Sequence, residues 1–261
     1  MERLGIIGGL GPAATARLFA QIVAYTDAAC DQEHLDVTIL NRPHIPDRTA
    51  YLLGKPGAQS FVEPMQEAAR ELEAAGCGVL ATPCNTAHAR LDEIASVLGR
   101  SHFVDMPASA AAFASDLGCT RVGVLATDGA LATGVYQRAL GAAGIESMLP
   151  DEAVQAKVMS IIYDDVKAGR VADAEKVDNV CDALTDAGCN GIMLGCTELS
   201  LLGLPRMRGG ACIVDALDVL AWKCITECGA KARNLRDEYR CHVRPDGCLD
   251  ERGAVGSRTI E

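Results

Sequence analysis

This chain has no excess of basic residues. Lys and Arg number 24 against 35 Asp and Glu, for a net charge of −11. Nucleic-acid binding draws on clustered Lys and Arg set against phosphates, so the balance argues against a nucleic-acid partner. Any anionic substrate must be held by local positive groups instead. The sequence also has no apolar run approaching the roughly 20 residues a bilayer requires. Its N-terminus runs directly into Leu4-Gly5-Ile6-Ile7-Gly8-Gly9, without a basic region followed by a long apolar stretch. These absences predict a cytoplasmic protein with no membrane partner. Low-complexity segments are missing from the body of the chain, and with 49% hydrophobic and 23% charged residues the composition is that of an ordinary globular protein. A length of 261 residues exceeds what one core usually organises and predicts two domains.

Cysteine, by contrast, is plentiful, with 12 residues. In a large chain with no export signal these read as reduced thiols rather than disulfides. Cys77, Cys119, Cys181 and Cys189 lie beside Ala, Val and Gly and read as small core residues. Cys224, Cys228, Cys241, His242 and Cys248 form a collection toward the C-terminus. Cys224 and Cys228 are one helical turn apart and could join Cys241 or His242 around zinc. The C-x-x-C knuckles of common structural sites are missing, so incidental thiols are the better reading and no metal site is expected.

Two segments repeat each other. Ala75-Gly76-Cys77 leads through an apolar run to Pro83-Cys84, and Ala187-Gly188-Cys189 leads through an equal number of residues to Gly195-Cys196. Each copy reads as a helix end, a strand, and a cysteine where the strand hands over to a new helix. If the copies face one another, their thiols converge on one cleft. Removing a proton from one face of a substrate and returning it to the other requires such a pair of acid/base groups.

The elements support this doubling. Leu4 to Gly8 reads as a strand, Gly9 to Pro12 as a turn, and the residues from Ala13 to about Ala29 as a helix; Asp36 to Leu40 forms a second strand. A long loop punctuated by Pro43, Pro46, Gly54, Pro56 and Gly57 follows. Then come a helix over 60–75, with Ser60 and Glu63 at capping-box spacing, the first cysteine strand, and a helix after Cys84. Beyond Phe103 to Pro107 the pattern restarts: a helix over 108–116, a strand over 121–126 matching the opening one, turn and helix over 129–143, and a long helix over 152–167. Alternating strands and helices imply α/β units with parallel sheets. The reading is two similar Rossmann-like domains related by a pseudo-twofold, residues 1–106 plus 214–261 and residues 107–213, with the active site between them. The tail beyond Ala230 is expected to be poorly ordered toward its end.

Among the motifs, Gly9-Leu10-Gly11-Pro12-Ala13-Ala14 fits the loose dinucleotide pattern, but the strand ending at Leu40 is followed by Asn41 and Arg42 rather than an acidic residue. The better reading is a turn whose amides, with the helix N-terminus, line an anion-binding cleft. In Pro83-Cys84-Asn85-Thr86-Ala87-His88 the thiol stands at a helix start, where the dipole would lower its pKa. Asn85 and Thr86 offer donors to a carboxylate, and His88, one turn on, could tune Cys84 or pair with it on a metal. Arg48, in the Pro/Gly-rich loop, carries the fork best suited to gripping a carboxylate, although a loop arginine is usually solvated. Lys167 closes a helix, where a cation is ordinary.

Taken together, the segments Gly8 to Thr15, Pro46 to Thr49, Pro83 to His88, Leu125 to Thr127, Ile162 to Gly169 and Leu194 to Leu199 resemble the aspartate/glutamate racemase family of cofactor-independent amino-acid racemases, in family order over roughly residues 4–225. The resemblance implies two α/β domains with the active site between them, no cofactor, and a homodimer. It implies that Cys84 and Cys196 are the catalytic pair and that Asn85, Thr86 and Thr197, with Thr127 nearby, hold the α-carboxylate or amino group. Arg48 and Lys167 would then recognise the distal carboxylate of an acidic amino acid. Two positions depart from the family: Ala130, where members often carry Thr, and Asp215-Ala216-Leu217-Asp218, where a Thr/His-containing segment often follows the aspartate. The expected reaction is racemisation of aspartate or glutamate. A hydantoin racemase or maleate isomerase reaction on the same fold is the alternative enzyme, and a non-catalytic amino-acid-binding protein the alternative of another class.

Overall fold

The computed structural model of the protein describes residues 1–240. The first half runs β1 (Arg3–Gly8), α1 (Pro12–Tyr25), β2 (Val37–Asn41), α2 (Arg48–Leu52), α3 (Val62–Ala74), β3 (Cys77–Ala81), α4 (Leu91–Ala95), β4 (His102–Phe103) and α5 (Met106–Asp116). The second half runs β5 (Arg121–Leu125), α6 (Asp128–Thr133), α7 (Val135–Ala142), β6 (Glu146–Met148), α8 (Glu152–Ser160), α9 (Ala174–Asp186), β7 (Gly191–Leu194), α10 (Thr197–Ser200), β8 (Met207–Arg208), β9 (Ala211–Asp215), α11 (Ala216–Glu227) and α12 (Asp237–Arg240). The strands form two sheets, ordered β2-β1-β3-β4 and β6-β5-β7-β9-β8. All pairings are parallel except the short β8–β9 edge. Near-continuous apolar strands such as Leu4–Ile7 and Ile192–Leu194 suit parallel sheets covered on both faces.

The repeat read in the sequence is physical. Gly76 and Gly188 end α3 and α9 in the left-handed region, at φ 88° and 84°, a conformation that costs glycine no Cβ clash. Four residues before each stands a fully buried leucine, Leu72 or Leu184, packed over a side-chain-free position in the matching strand, Gly5 or Gly123. Truncating either leucine to alanine would cost about 2–5 kcal/mol by the usual cavity penalty.

A central core contains residues of β1, β3, β5, β7, α5 and α11, so the two sheets share one interior. Among the described residues two outer cores flank it, one under α3 and one under α8 and α9. The chain crosses back after the strand that contains Ile213, Val214 and Asp215, which pairs with β7 of the second sheet. The return is made by α11, packed on α1, α5 and β3.

Several elements differ from expectation. Helix α1 stops at Tyr25 rather than near Ala29, because Thr26 turns extended, donates its hydroxyl to the Ile22 carbonyl (2.7 Å) and bridges to Ala232. The long helix expected over 152–167 changes at Ile161 into a π-helical turn, Ile161–Val166, and the Lys167 amide donates to the Ile162 carbonyl five residues back. The helix expected directly after Cys84 is a 3-10 segment, Asn85–Arg90, before α4. Ser60 lies just outside α3, its hydroxyl accepting from the Val62 amide (3.2 Å). The C-terminal segment is packed as far as α12, where Tyr239 stacks edge-on against Phe113 and donates to the Ile213 carbonyl. Cys224 and Cys228 are buried free thiols in the central core. Cys241, His242, Cys248 and the tail end expected to be poorly ordered lie outside the described residues. Among the described residues, no helix is long and apolar enough to cross a membrane.

Candidate active site

The carboxyl ends of β1, β3, β5 and β7 point to the same region, the usual place for a site on open parallel sheets. Cys84 ends the β3 turn and Cys196 the β7 turn, with closely similar backbone angles, φ/ψ −147°/96° and −140°/131°. All eight residues singled out from the sequence, Arg48, Cys84, Asn85, Thr86, Thr127, Lys167, Cys196 and Thr197, line one pocket. Leu10, Asp47, Thr49, Tyr163 and Glu198 complete its wall. Both thiols are buried and free.

Hydrogen bonds between the two units fix the pocket. Thr197 Oγ1 donates to the Pro83 carbonyl, immediately before Cys84 (3.4 Å). Three hydroxyls converge on α6: Thr127 Oγ1 caps the helix by accepting from the Ala130 amide (3.3 Å), and it meets Thr86 at 3.1 Å and Thr49 at 3.4 Å. Gly129 permits this approach, since a Cβ there would stand 2.9 Å from Thr49 Cα. Asn85 Oδ1 accepts from the hydroxyl of Tyr136 on α7, while its Nδ2 is buried without a partner.

The charges are arranged asymmetrically about the two sulfurs. Arg48 is anchored by donating to the carbonyls of Leu10 (3.1 Å), Pro46 (3.0 Å) and Ile45 (3.2 Å), and its guanidinium faces Cys84. Its Nε is buried without a partner. Cys196 instead donates to Glu198 Oε2 (2.9 Å), and Glu198 Oε1 pairs with Lys167 Nζ (3.2 Å). Burial, and after it the Glu198 carboxylate, push the Cys196 thiol well above its ordinary range. The helix-dipole argument for a lowered thiol therefore does not carry to Cys196: α10 is only four residues long, and an adjacent carboxylate outweighs it. Burial works against the Lys167 charge, but Glu198 and Cys196 overcome it and hold the ammonium above its usual value. Lys167 also lies 5.1 Å from the Tyr163 ring centroid, in the range of a cation–π contact.

Other expectations are corrected. His88 does not meet the Cys84 sulfur. Its Nδ1 bonds the Cys84 carbonyl (2.9 Å), its Nε2 accepts from the Met106 amide (3.2 Å), and burial lowers its pKa, so it is a neutral brace between the cysteine turn and α5. Glu198 Oε1 approaches the Gly9–Pro12 turn, 3.5 Å from where a Gly11 Cβ would stand, and Leu10 of that turn lines the pocket. Ala130 is buried in the central core and does not line the pocket. Asp215 and Asp218 are likewise behind it. Asp215 Oδ1 accepts from Ser200 (2.6 Å) and the Leu217 amide (2.9 Å), and Asp218 is bound by Arg206 (2.7 Å) and Gln21 (2.6 Å). Among the described residues, no three His, Cys, Asp or Glu side chains gather where they could hold a metal.

A pocket that takes one thiol from each of two matching units has the makings of a two-sided proton-transfer site. The chain belongs to the Asp/Glu/hydantoin racemase family, whose model matches residues 7–224. Its structure is similar to that of Picrophilus torridus aspartate racemase, with a TM-score of 0.76 at 26% identity, covering 92% of this chain and 98% of that one. It shares its fold with an aspartate racemase homologue from Pyrococcus horikoshii OT3 (TM-score 0.70, 21% identity, 88% and 100% covered). It also shares it with the glutamate racemase of Francisella tularensis, solved in complex with D-glutamate (TM-score 0.57, 15% identity, 87% and 81% covered). Among curated proteins, an "uncharacterized protein in pnlA 3′ region" of Pectobacterium carotovorum is 43% identical over 84 residues, 32% of this chain. The match spans 55% of that relative's own length.

The five further wall residues, Leu10, Asp47, Thr49, Tyr163 and Glu198, all stand in motifs quoted from the sequence but were not singled out as site residues there. Glu198 had a signal: an acidic side chain two residues after the second cysteine, in a helix start too short to turn it away. Tyr136 had none, since it contacts Asn85 from 51 positions away.

Proposed function

We propose that this protein racemises an acidic amino acid, aspartate or glutamate, by proton transfer at the α-carbon between Cys84 and Cys196 and without a cofactor. The observation that carries the reading is that both thiols line one pocket, each at the equivalent strand end of its own unit, together with the cations Arg48 and Lys167.

One cysteine, as thiolate, removes the α-proton, and the other, as thiol, delivers a proton to the opposite face. The proton count balances: one thiol is consumed and one formed, so the enzyme ends each turnover ready for the opposite enantiomer. The Arg48 guanidinium faces Cys84, whereas the Cys196 thiol donates to Glu198 and is held protonated beside it. With a cation beside one sulfur and a carboxylate beside the other, Cys84 takes the part of base and Cys196 that of acid in the first transfer. The α-carboxylate gains enediolate character as the proton leaves, and Asn85 Nδ2 is the unpartnered donor that meets it, with the Thr86 and Thr197 hydroxyls beside it in the pocket wall. Arg48 and Lys167 serve the distal carboxylate.

The test is proton NMR of L-aspartate and L-glutamate, separately, in D₂O with purified protein and no added cofactor, followed by chiral chromatography. Loss of the α-proton signal with appearance of the D-isomer is expected for one or both. No exchange in either would sink the reading.

A further inference from the structure

The Tyr136 side chain touches both cysteine turns. It is fully buried on α7 of the second unit. Its hydroxyl donates to Asn85 Oδ1, on the residue that follows Cys84. Its ring lies against the residue that precedes Cys196, so closely that a Cβ on Gly195 would stand 2.8 Å from Tyr136 Cε2.

The consequence falls on Asn85. This side chain is 2% exposed and lines the pocket, yet its Nδ2 has no partner. A buried donor left without a partner is destabilising, and such a group persists where a ligand completes the bond. An amide can be reversed end for end at little steric cost, and reversal would present an acceptor instead. What opposes reversal is the Tyr136 hydroxyl: a reversed amide could still donate to its oxygen, but the buried O–H would then lose the Asn85 Oδ1 acceptor it now has. Burial, with Asp215 and Cys196 nearby, pushes the Tyr136 pKa well up, so the group stays an O–H donor. The ring alone would fill the same volume, and the hydroxyl adds only this bond.

We propose that Tyr136 is a positioning residue: its hydroxyl locks the Asn85 amide with nitrogen toward the pocket, so that a donor meets the carboxylate of the substrate. The inference rests on the racemase reading for its kinetic consequence. Donors aimed where negative charge develops contribute to kcat more than to KM.

A double-mutant cycle tests it, with wild type, Tyr136→Phe, Asn85→Ala and the double variant, each checked by thermal melting. Tyr136→Phe is expected to lower kcat for aspartate or glutamate about tenfold with KM changed less than about threefold, and to have no further effect once Asn85 is Ala. Wild-type kcat in Tyr136→Phe, or an equal loss from it in the Asn85→Ala background, would overturn the proposal, since a residue that merely fills the core acts regardless of Asn85. The same cycle is read without turnover in the affinity for malonate, a dicarboxylate with no amino group. Tyr136→Phe is expected to weaken it about threefold and the double variant no more than Asn85→Ala. Additive losses there would overturn the proposal, whereas inactive wild type with coupled malonate binding would count against the racemase reading alone.

Discussion

Replacing Glu198 by glutamine keeps the shape of the side chain and an acceptor for Cys196 while removing its charge. The carboxylate is buried, 2.9 Å from Cys196 Sγ and 3.2 Å from Lys167 Nζ. A thiolate on Cys196 would meet it at hydrogen-bond distance, where two like charges repel by roughly 5 kcal/mol at an effective dielectric constant of about 20. Lys167 neutralises much of that field, leaving on the order of 1–3 kcal/mol, or about one to two factors of ten in thiolate population at fixed pH. The assay is alkylation of Cys196 by iodoacetamide at pH 7.5, followed by peptide mass spectrometry in a Cys84→Ser background so that only one pocket thiol reacts. Glu198→Gln is expected to speed alkylation at least about tenfold relative to the same background. An unchanged or slower rate, in a variant with an intact melting transition, would refute the argument that Glu198 keeps Cys196 protonated.

Asp215 offers a pH test remote from the pocket. Burial, and then Asp218, push its carboxyl up to about 6. Its folded pKa thus exceeds the unfolded value of about 4, so its contribution to stability is fully present below about pH 4 and is lost as pH rises through 6. Above that, the buried charge costs on the order of 3 kcal/mol. Asp215→Asn retains an acceptor for Ser200 and the Leu217 amide, so the gain in melting temperature between pH 7.5 and 5.5 should shrink relative to wild type. An unaltered pH dependence would contradict the assignment. Gly195→Ala would drive a Cβ to 2.8 Å from Tyr136 Cε2 and 3.1 Å from Ala126 Cβ. It is expected to lower stability by about 1–3 kcal/mol in chemical denaturation and to displace Cys196 with loss of turnover, and a neutral result would show the contact to be soft.

The doubled architecture was legible because its signals are local. A left-handed glycine, a strand of fixed length and a cysteine at the strand end recur at the same spacing, and each is dictated by backbone geometry within one unit. The thiols and the donors beside them could be read for the same reason. Lys167 was found through its motif, but the π-helical turn before it was not, because Ile161–Val166 carries no composition that separates a five-residue from a four-residue ladder. His88 misled, since helical spacing put it near Cys84 but the 3-10 turn delivers its ring to backbone groups instead. What depends on how the two units meet was out of reach: Tyr136 against Asn85, Thr49 over Gly129, and Thr197 on Pro83 join residues far apart in the chain.

The central claim is that two cysteines work on opposite faces of one α-carbon. It is tested most directly with Cys84→Ser and Cys196→Ser, each incubated with L- and D-aspartate or L- and D-glutamate in D₂O and followed by NMR and chiral chromatography. Each variant should lose racemisation yet still exchange the α-proton of one enantiomer with retention, because the remaining thiol can remove and return a proton on its own face. The enantiomer that exchanges should be opposite in the two variants. Exchange of the same enantiomer by both, or racemisation surviving in either, would contradict the account.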